Sequence, residues 1–438
     1  MQDHFYAIAD SIKQALRGDE IFTCWFSGEH SDFVRFNHGK IRQAGDVLQR
    51  HLSLRLIVNG RQAKCSLTLS GENNDFAAAK NALIELRNVV EDLPADPYLL
   101  YAETVNSSDS KQRGALPLAA NAAEQIVDAA RDLDLVGIYA AGPIYRGFAN
   151  SFGQRNWHES DNFNFEWSLY HQTDKAVKTS YAGSHWRPEE LSAKIRTASD
   201  DLEIFRRPAV TIAPGEYRAY LAPRALEEII GMLSWGGLSI KARRTKQSPL
   251  IKMEQGATLS EKIMLRENTA DAAAPGFQGD GFLKPPNVTL INSGRLADAL
   301  IAPRSAREYG LESNGANGSE SPESADLAAG TLASSDILNT LDTGLTINNL
   351  WYLNYSDRPA CRMTGMTRFA TFWVEQGKIV APVNVMRFDD TIYRMLGENL
   401  VELTQQREVM LDASTYGSRT TQSARLPGAL LGAMRFTL

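Results

Sequence analysis

Residues 224 to 233, RALEEIIGML, set two adjacent glutamates ahead of a methionine on what reads as one short helix. In a zinc helix of the His-Glu-x-x-x-His type, two imidazoles hold the metal and the glutamate beside the first takes a proton from metal-bound water. Residues five apart lie about 140° apart on a regular α-helix, so both face one metal only where the turn widens or ends. Here Glu227 and Met232 stand at the ligand positions and Glu228 at the base position. A thioether is a poor zinc ligand, and one carboxylate does not complete a site. The helix is therefore expected not to hold catalytic zinc. Periodicity supplies a simpler reading. Leu226, Ile229, Ile230 and Leu233 recur at i, i+3, i+4 and i+7, a packed helix face with Pro223 in its first turn and both glutamates towards solvent.

The other residues able to do chemistry are scattered. The histidines are His4, His30, His38, His51, His158, His171 and His185, so the second half of the chain has no imidazole. A metal or general-base site there would need carboxylates, Cys361 or residues brought in from elsewhere. His158-Glu159 has no second histidine four or five residues on and reads as a strand-edge or loop pair. Cys361, in DRPACRMTGMT, reads as a partly buried loop cysteine.

Cys24, Cys65 and Cys361 are odd in number and far apart, which does not suit a disulfide framework and suits a reducing compartment. The first residues lack the basic leader and apolar core of a signal peptide, and no apolar run reaches the roughly 18 residues of a membrane span. A cytoplasmic location with no membrane partner is expected. The formal net charge of -6 offers no field for phosphates, so direct nucleic-acid binding is not expected.

The elements that must position these residues follow from pattern. Phe5, Ile8, Ile12 and Leu16 mark a first helix stopped by Gly18. In HLSLRLIVNGRQAKCSLTLS, a type I′ turn at Asn59-Gly60 sets Leu56 opposite Ala63, Leu54 opposite Cys65 and Leu52 opposite Leu67, making Cys65 a small core residue. A helix over 75–93 has Asp75 as its candidate N-cap and Pro94 as terminator. The polar stretch NSSDSKQRG leads to a helix near LAANAAEQIVDAARDL, and strands alternate from about 135 to 182. A helical segment near 186–207 precedes the main boundary. The expected architecture is α+β: an N-terminal mixed α/β region over 1–210, with antiparallel strands and flanking helices, then a β-rich, barrel-like domain over 211–438. Residues 310–330 have the composition of a linker or of a long surface loop within the β-domain.

Three stretches carry a family resemblance. FQGDGFLKPPNVTLINSGRLADALIAPRSAREYGLESNGANG, 277–318, resembles a TldD/PmbA family segment in which an acidic-glycine phrase precedes a strand, a glycine turn and a helix. LDTGLTINNLWYLNYSDRPACRMTGMTRFATFWVEQGKIVAPV, 341–383, resembles that family's aromatic, Glu, x-Gly-Lys-Ile, Pro-Val region. FVRFNHGKIRQAG and LRLIVNGRQAKCS are more faintly similar to its first domain.

The resemblance implies an N-terminal α+β region followed by a β-rich domain. TldD-like members carry His-Glu-x-x-x-His and a later cysteine as zinc ligands and cleave unfolded or extended peptides. TldE or PmbA members lack those ligands and pair with a TldD-like subunit. In this chain only Glu228 and Gly231 of the helix pattern remain, and the late Thr-Cys-Gly phrase is matched by Thr415-Tyr416-Gly417, with Tyr416 in place of the cysteine. The resemblance thus implies a non-catalytic subunit that binds no cofactor, zinc being carried by a TldD-like metalloprotease partner acting on unfolded peptide. No residue of this chain is expected to be catalytic or a metal ligand. The alternative is a partner-independent peptide-binding or scaffold protein, homodimeric when isolated. Family descriptions as a modulator of DNA gyrase fit an indirect effect through peptide turnover, given the acidic balance. The best candidate for a peptide-groove wall is TRFATFWVEQGKI, where Phe369, Thr371 and Trp373 alternate with Ala370, Phe372 and Val374 on an interior strand.

Overall fold

The computed structural model describes residues 1–172 and 175–437; Thr173 and Asp174, within the predicted alternating stretch, and Leu438 lie outside the described residues. Alternating apolar positions build the first sheet from β1 (Ile21–Asn37), β2 (Lys40–Val58), β3 (Arg61–Thr68), β4 (Ser108–Gln112), β5 (Asp134–Asn150), β6 (Arg155–Gln172) and β7 (Lys175–Gly183). Its order is β3-β2-β1-β5-β6-β4, with β7 also on β6, and every pairing is antiparallel except β4 with β6. At the β2–β3 turn Asn59 and Gly60 take φ of 49° and 73°, and the predicted register of Leu52, Leu54 and Leu56 against Leu67, Cys65 and Ala63 holds. Both positive φ values are what a two-residue I′ hairpin requires. Cys65 is half-buried and packs at the edge of the core, whereas Cys24 is fully buried.

Helices α1 (Gln2–Gln14) and α2 (Asn74–Val90) cover this sheet, joining Phe5, Ile8, Ile12, Leu83 and Leu86 to Phe22, Phe26, Leu52, Leu54 and Leu56. Asp75 is not the N-cap: that position is Asn73, and the Asp75 carboxylate instead accepts the N–H groups of Ser70 and Gly71 at 2.9 and 2.8 Å and contacts His4. The helix also ends earlier than Pro94, at Val90 with Glu91 as C-cap. Part of the polar stretch NSSDSKQRG is a strand, β4. Its side chains pack little, but its backbone completes the ladder of β6. Helices α3 (Ala119–Ala129) and α4 (Pro188–Ile204) pack over Phe163, Phe165 and Trp167, and this cluster extends to Ala370 and Phe372 of the C-terminal half. The Phe205 and Phe372 rings lie 5.4 Å apart, so the core is continuous across the two sheets.

The second sheet comprises β8 (Gly215–Leu221), β9 (Leu265–Asn268), β10 (Asn287–Asn292), β11 (Arg295–Leu296), β12 (Ser324–Leu327), β13 (Gly344–Ile347), β14 (Leu350–Asp357), β15 (Arg362–Thr367), β16 (Thr371–Glu375), β17 (Lys378–Pro382), β18 (Arg387–Thr391), β19 (Leu400–Leu411) and β20 (Ser423–Phe436). Its main path runs β11-β10-β9-β12-β20-β8-β13-β16-β17, with β19 and, through β18, β15 and β14 branching from β20. The fold is α+β with mostly antiparallel sheets. It is barrel-like only loosely, because the pairing among the described strands branches and does not close. Helix α5 (Pro223–Met232) packs within the core of this half.

Two local expectations change and one is decided. Residues 310–330 belong to the β-domain, the second of their two readings: Glu320 is buried and its carboxylate accepts Lys241 N–H and Ala302 N–H, both at 2.9 Å, before the chain enters β12. His158 is buried inside β6, paired on one side with β5 and on the other with β4, and its Nε2 lies 2.9 Å from the Ala273 carbonyl oxygen. It is on neither an edge nor a loop. Cys361 sits at the β14–β15 turn but is fully buried, and burial pushes its thiol up to about 12. No described helix is long and apolar enough to cross a membrane.

Candidate functional site

The opening helix forms as its pattern demands. Pro223 stands in the first turn of α5, after Ala222 in extended conformation, and Leu226, Ile229, Ile230 and Leu233 are all buried. Burying one such side chain contributes about 1.5–3 kcal/mol, so packing alone accounts for the helix. The glutamates, however, do not face open solvent. Glu227, Glu228 and Met232 line a cavity of about 660 Å³ whose other walls include Glu166 of β6, Lys178 of β7 and residues 411–414. The N-terminal sheet covers the polar face of α5, which helix periodicity alone cannot foresee.

A guanidinium holds this site together. Arg224 places Nη2 3.0 Å from Glu166 Oε1 and Nη1 2.7 Å from Glu227 Oε2, tying β6 to α5. Lys178 Nζ lies 3.1 Å from the same Glu166 oxygen. Glu228 makes no hydrogen bond or ion pair among the described residues. Burial pushes both glutamates above their ordinary carboxylate range, with Arg224 pulling each back in part. Met232 is buried, and its backbone carbonyl accepts the Tyr355 hydroxyl at 2.7 Å.

The other wall is the connection from β19 to β20. Asp412, Ala413 and Ser414 line the cavity, but Tyr416, two residues on, is wholly exposed. The connection is anchored by Arg419, which was not singled out in the sequence. Buried at 4 % exposure, Arg419 donates from Nη1 to Ser31 Oγ and the Gly142 carbonyl, both at 3.1 Å, and from Nη2 to the Asn162 carbonyl at 2.8 Å and to Asn162 Oδ1. Its own N–H donates to Glu29, and Gln49 donates to the Gly417 carbonyl at 2.7 Å. All these partners lie on the first sheet. An isolated arginine in a polar loop carries no sequence signal for such burial.

The three groove-wall candidates separate. Phe369, with φ of 65°, lines a second cavity of about 320 Å³, which shares Glu166, Lys178, Asp412 and Ala413 with the first. Thr371 is buried in β16, and Trp373 is half-buried against Tyr217 with its Nε1 donating to Glu375 at 2.7 Å.

These residues do not suit zinc. Glu227 is ion-paired to Arg224, Met232 offers a thioether, Tyr416 is outside the cavity, and two fixed cations flank the remaining carboxylate. Among the described residues no three His, Cys, Asp or Glu converge as a metal group requires. The cavity supplies charge and shape.

A two-sheet α+β chain with a charged cavity where helix α5 meets the first sheet is the class that fold and site define. The chain belongs to the PmbA/TldD family: residues 214–438 match the PmbA/TldA metallopeptidase C-terminal domain. Solved structures share the fold over nearly the whole chain. TldE from Thermococcus kodakarensis aligns at TM-score 0.78 and 14% identity, covering 99% of each chain. A proposed modulator of a DNA gyrase from Thermotoga maritima aligns at 0.76 and 15%, covering 99% of this chain and 100% of that one. A proposed modulator of DNA gyrase from Bacteroides thetaiotaomicron aligns at 0.75 and 15%, covering 99% and 98%. No curated protein matches the chain.

Proposed function

We propose that this chain is a TldE/PmbA-like, non-catalytic subunit of a TldD/TldE-type zinc metalloprotease of the cytoplasm that acts on unfolded or extended peptides. The zinc belongs to a TldD-like partner. The observation that carries this reading is Arg224 bridging Glu166 and Glu227 at the helix where the family's metal ligands would stand. A permanent guanidinium occupies the electrostatic role of a cation there and leaves no carboxylate pair for a metal. The neighbouring cavities at Phe369 and α5, which share Glu166, Lys178, Asp412 and Ala413 in their walls, offer a mixed polar and apolar surface suited to a peptide backbone.

The test is cleavage of an unstructured peptide by the purified chain alone, by a His-Glu-x-x-x-His partner, and by both together, with and without a chelator. Cleavage that requires the partner's zinc and rises when this chain is added is the expected result. Robust, chelator-sensitive cleavage by this chain alone overturns the non-catalytic role. Recovery of this chain only as a homodimer from native lysate would favour the scaffold reading.

A further inference from the structure

Arg368, the residue before Phe369, is exposed, and its guanidinium makes no hydrogen bond or ion pair among the described residues. Aromatic rings hold it instead. Its Cζ lies 4.4 Å from the Trp351 ring centroid and 5.7 Å from that of Phe369. Lys178 Nζ stands 6.0 Å from the same Phe369 ring, which lines the cavity of about 320 Å³. Ring contacts restrain a guanidinium while leaving its N–H groups free, and a planar carboxylate is the acceptor that takes two of them at once.

The surroundings favour the same ligand. The charges lining the Phe369 cavity are Arg35, Lys178 and Arg419 against Glu166 and Asp412, a positive excess to which the neighbouring Arg368 adds. Arg35 is also exposed and in no ion pair among the described residues. The β14–β15 ladder breaks after Trp351 and resumes at Asn354, and this bulge leaves Trp351 and Tyr352 at 41 % and 73 % exposure with ring centroids 5.4 Å apart. Tyr352 and Phe369 hold φ of 57° and 65°, left-handed values that are unfavourable for bulky side chains and that cluster at ligand clamps. A free cation thus stands between a cavity and an accessible aromatic surface.

We propose that Arg368 is a specificity-determining residue that receives an acidic side chain of an extended peptide, while the apolar residue beside that side chain lies on Trp351 and Tyr352. The inference rests on the peptide-binding role proposed above and gives it a substrate class: peptides in which aspartate or glutamate adjoins an apolar residue. The exposed guanidinium acts on binding and takes no part in bond cleavage.

Fluorescence anisotropy of the full chain with a labelled, end-blocked, unstructured peptide holding a central Glu-Phe pair tests the assignment. Its counterparts carry Gln or Lys in place of the glutamate, and a thymidine oligonucleotide serves as the phosphate probe. The glutamate peptide should bind roughly fivefold more tightly than the Gln peptide, the scale of one exposed ion pair, with the difference shrinking as salt rises. Arg368→Gln should remove this preference and leave the affinity for the Gln peptide unchanged. Arg368→Lys should retain only part of it, because an ammonium lacks the planar fork. Circular dichroism confirms that both variants are folded, as substitution of an exposed side chain predicts. Equal binding of the three peptides overturns the charge selection and leaves the peptide-binding role standing, whereas failure of every peptide to bind overturns both. A preference that survives in Arg368→Gln overturns the assignment to this residue. Tighter binding of the oligonucleotide than of any peptide also overturns it, by making the surface one for phosphates.

Discussion

The two walls of the cavity at α5 are built by different physics. Helix α5 is fixed by apolar packing, and its polar face is left to be arranged by whatever covers it. The 412–422 connection has little apolar anchorage and is fixed by hydrogen bonds from Arg419 and to Gly417, with all partners on the first sheet. The difference teaches where the cavity can vary. Polar residues on the helix can be exchanged without disturbing the apolar packing that fixes it, whereas the loop opposite holds its place through the neighbouring sheet.

That contrast can be broken on the helix side first. Leu226→Ala should cost about 2–5 kcal/mol in chemical denaturation, because it leaves a cavity in a packed core. A cost within surface-substitution range would show that packing does not fix the helix. On the loop side, Arg419→Met should cost about 2–3 kcal/mol, since Ser31, Asn162 and the Gly142 carbonyl lose the guanidinium that donates to them and apolar volume cannot replace it. Protease nicking confined to 412–422 in the folded variant would be the accompanying sign, and unchanged nicking would undo the anchoring role. Arg224→Met should cost less, about 1–2 kcal/mol, because its ion pairs are only partly buried. It should also raise the Glu227 pKa further, which carboxyl-region NMR can follow.

The smallest effect is electrostatic and concerns pH. Burial raises the Glu228 carboxyl above its ordinary range, so the folded chain holds that proton more tightly than the unfolded one. The resulting penalty is absent below the ordinary carboxylate value, about pH 4, and grows as pH rises through the raised pKa. Glu228→Gln should therefore melt slightly above the parent at neutral pH, with the gain vanishing in acid. A gain independent of pH would show that Glu228 carries no buried charge.

Much of this architecture was readable before any coordinates. The Asn59-Gly60 hairpin and its register, the five principal helices and the apolar face of α5 are short-range patterns, and short-range sterics and periodicity decide them. Asp75 departed from its predicted capping role because a carboxylate near a helix start can serve several backbone N–H groups, and the preceding loop presented two. β4 was hidden because its strand character lies in backbone pairing with β6, with few apolar side chains to announce it. The absence of imidazole from the helix at 223–232 was plain from residue types alone. That Arg224 would tie it to the first sheet was not, since its partner Glu166 lies far away in sequence.

The sequence by itself determined that the helix at 223–232 carries two carboxylates and a thioether and no imidazole. It also determined the family and the α+β class, through local pattern summed over many residues. Only the tertiary structure decided that Glu227 and Glu228 line a cavity beside the first sheet, that Tyr416 stands outside it, and that Arg419 is a buried donor. Those outcomes depend on how two sheets meet, and the hydrogen bonds and desolvation that set them arise between residues that local spacing does not connect.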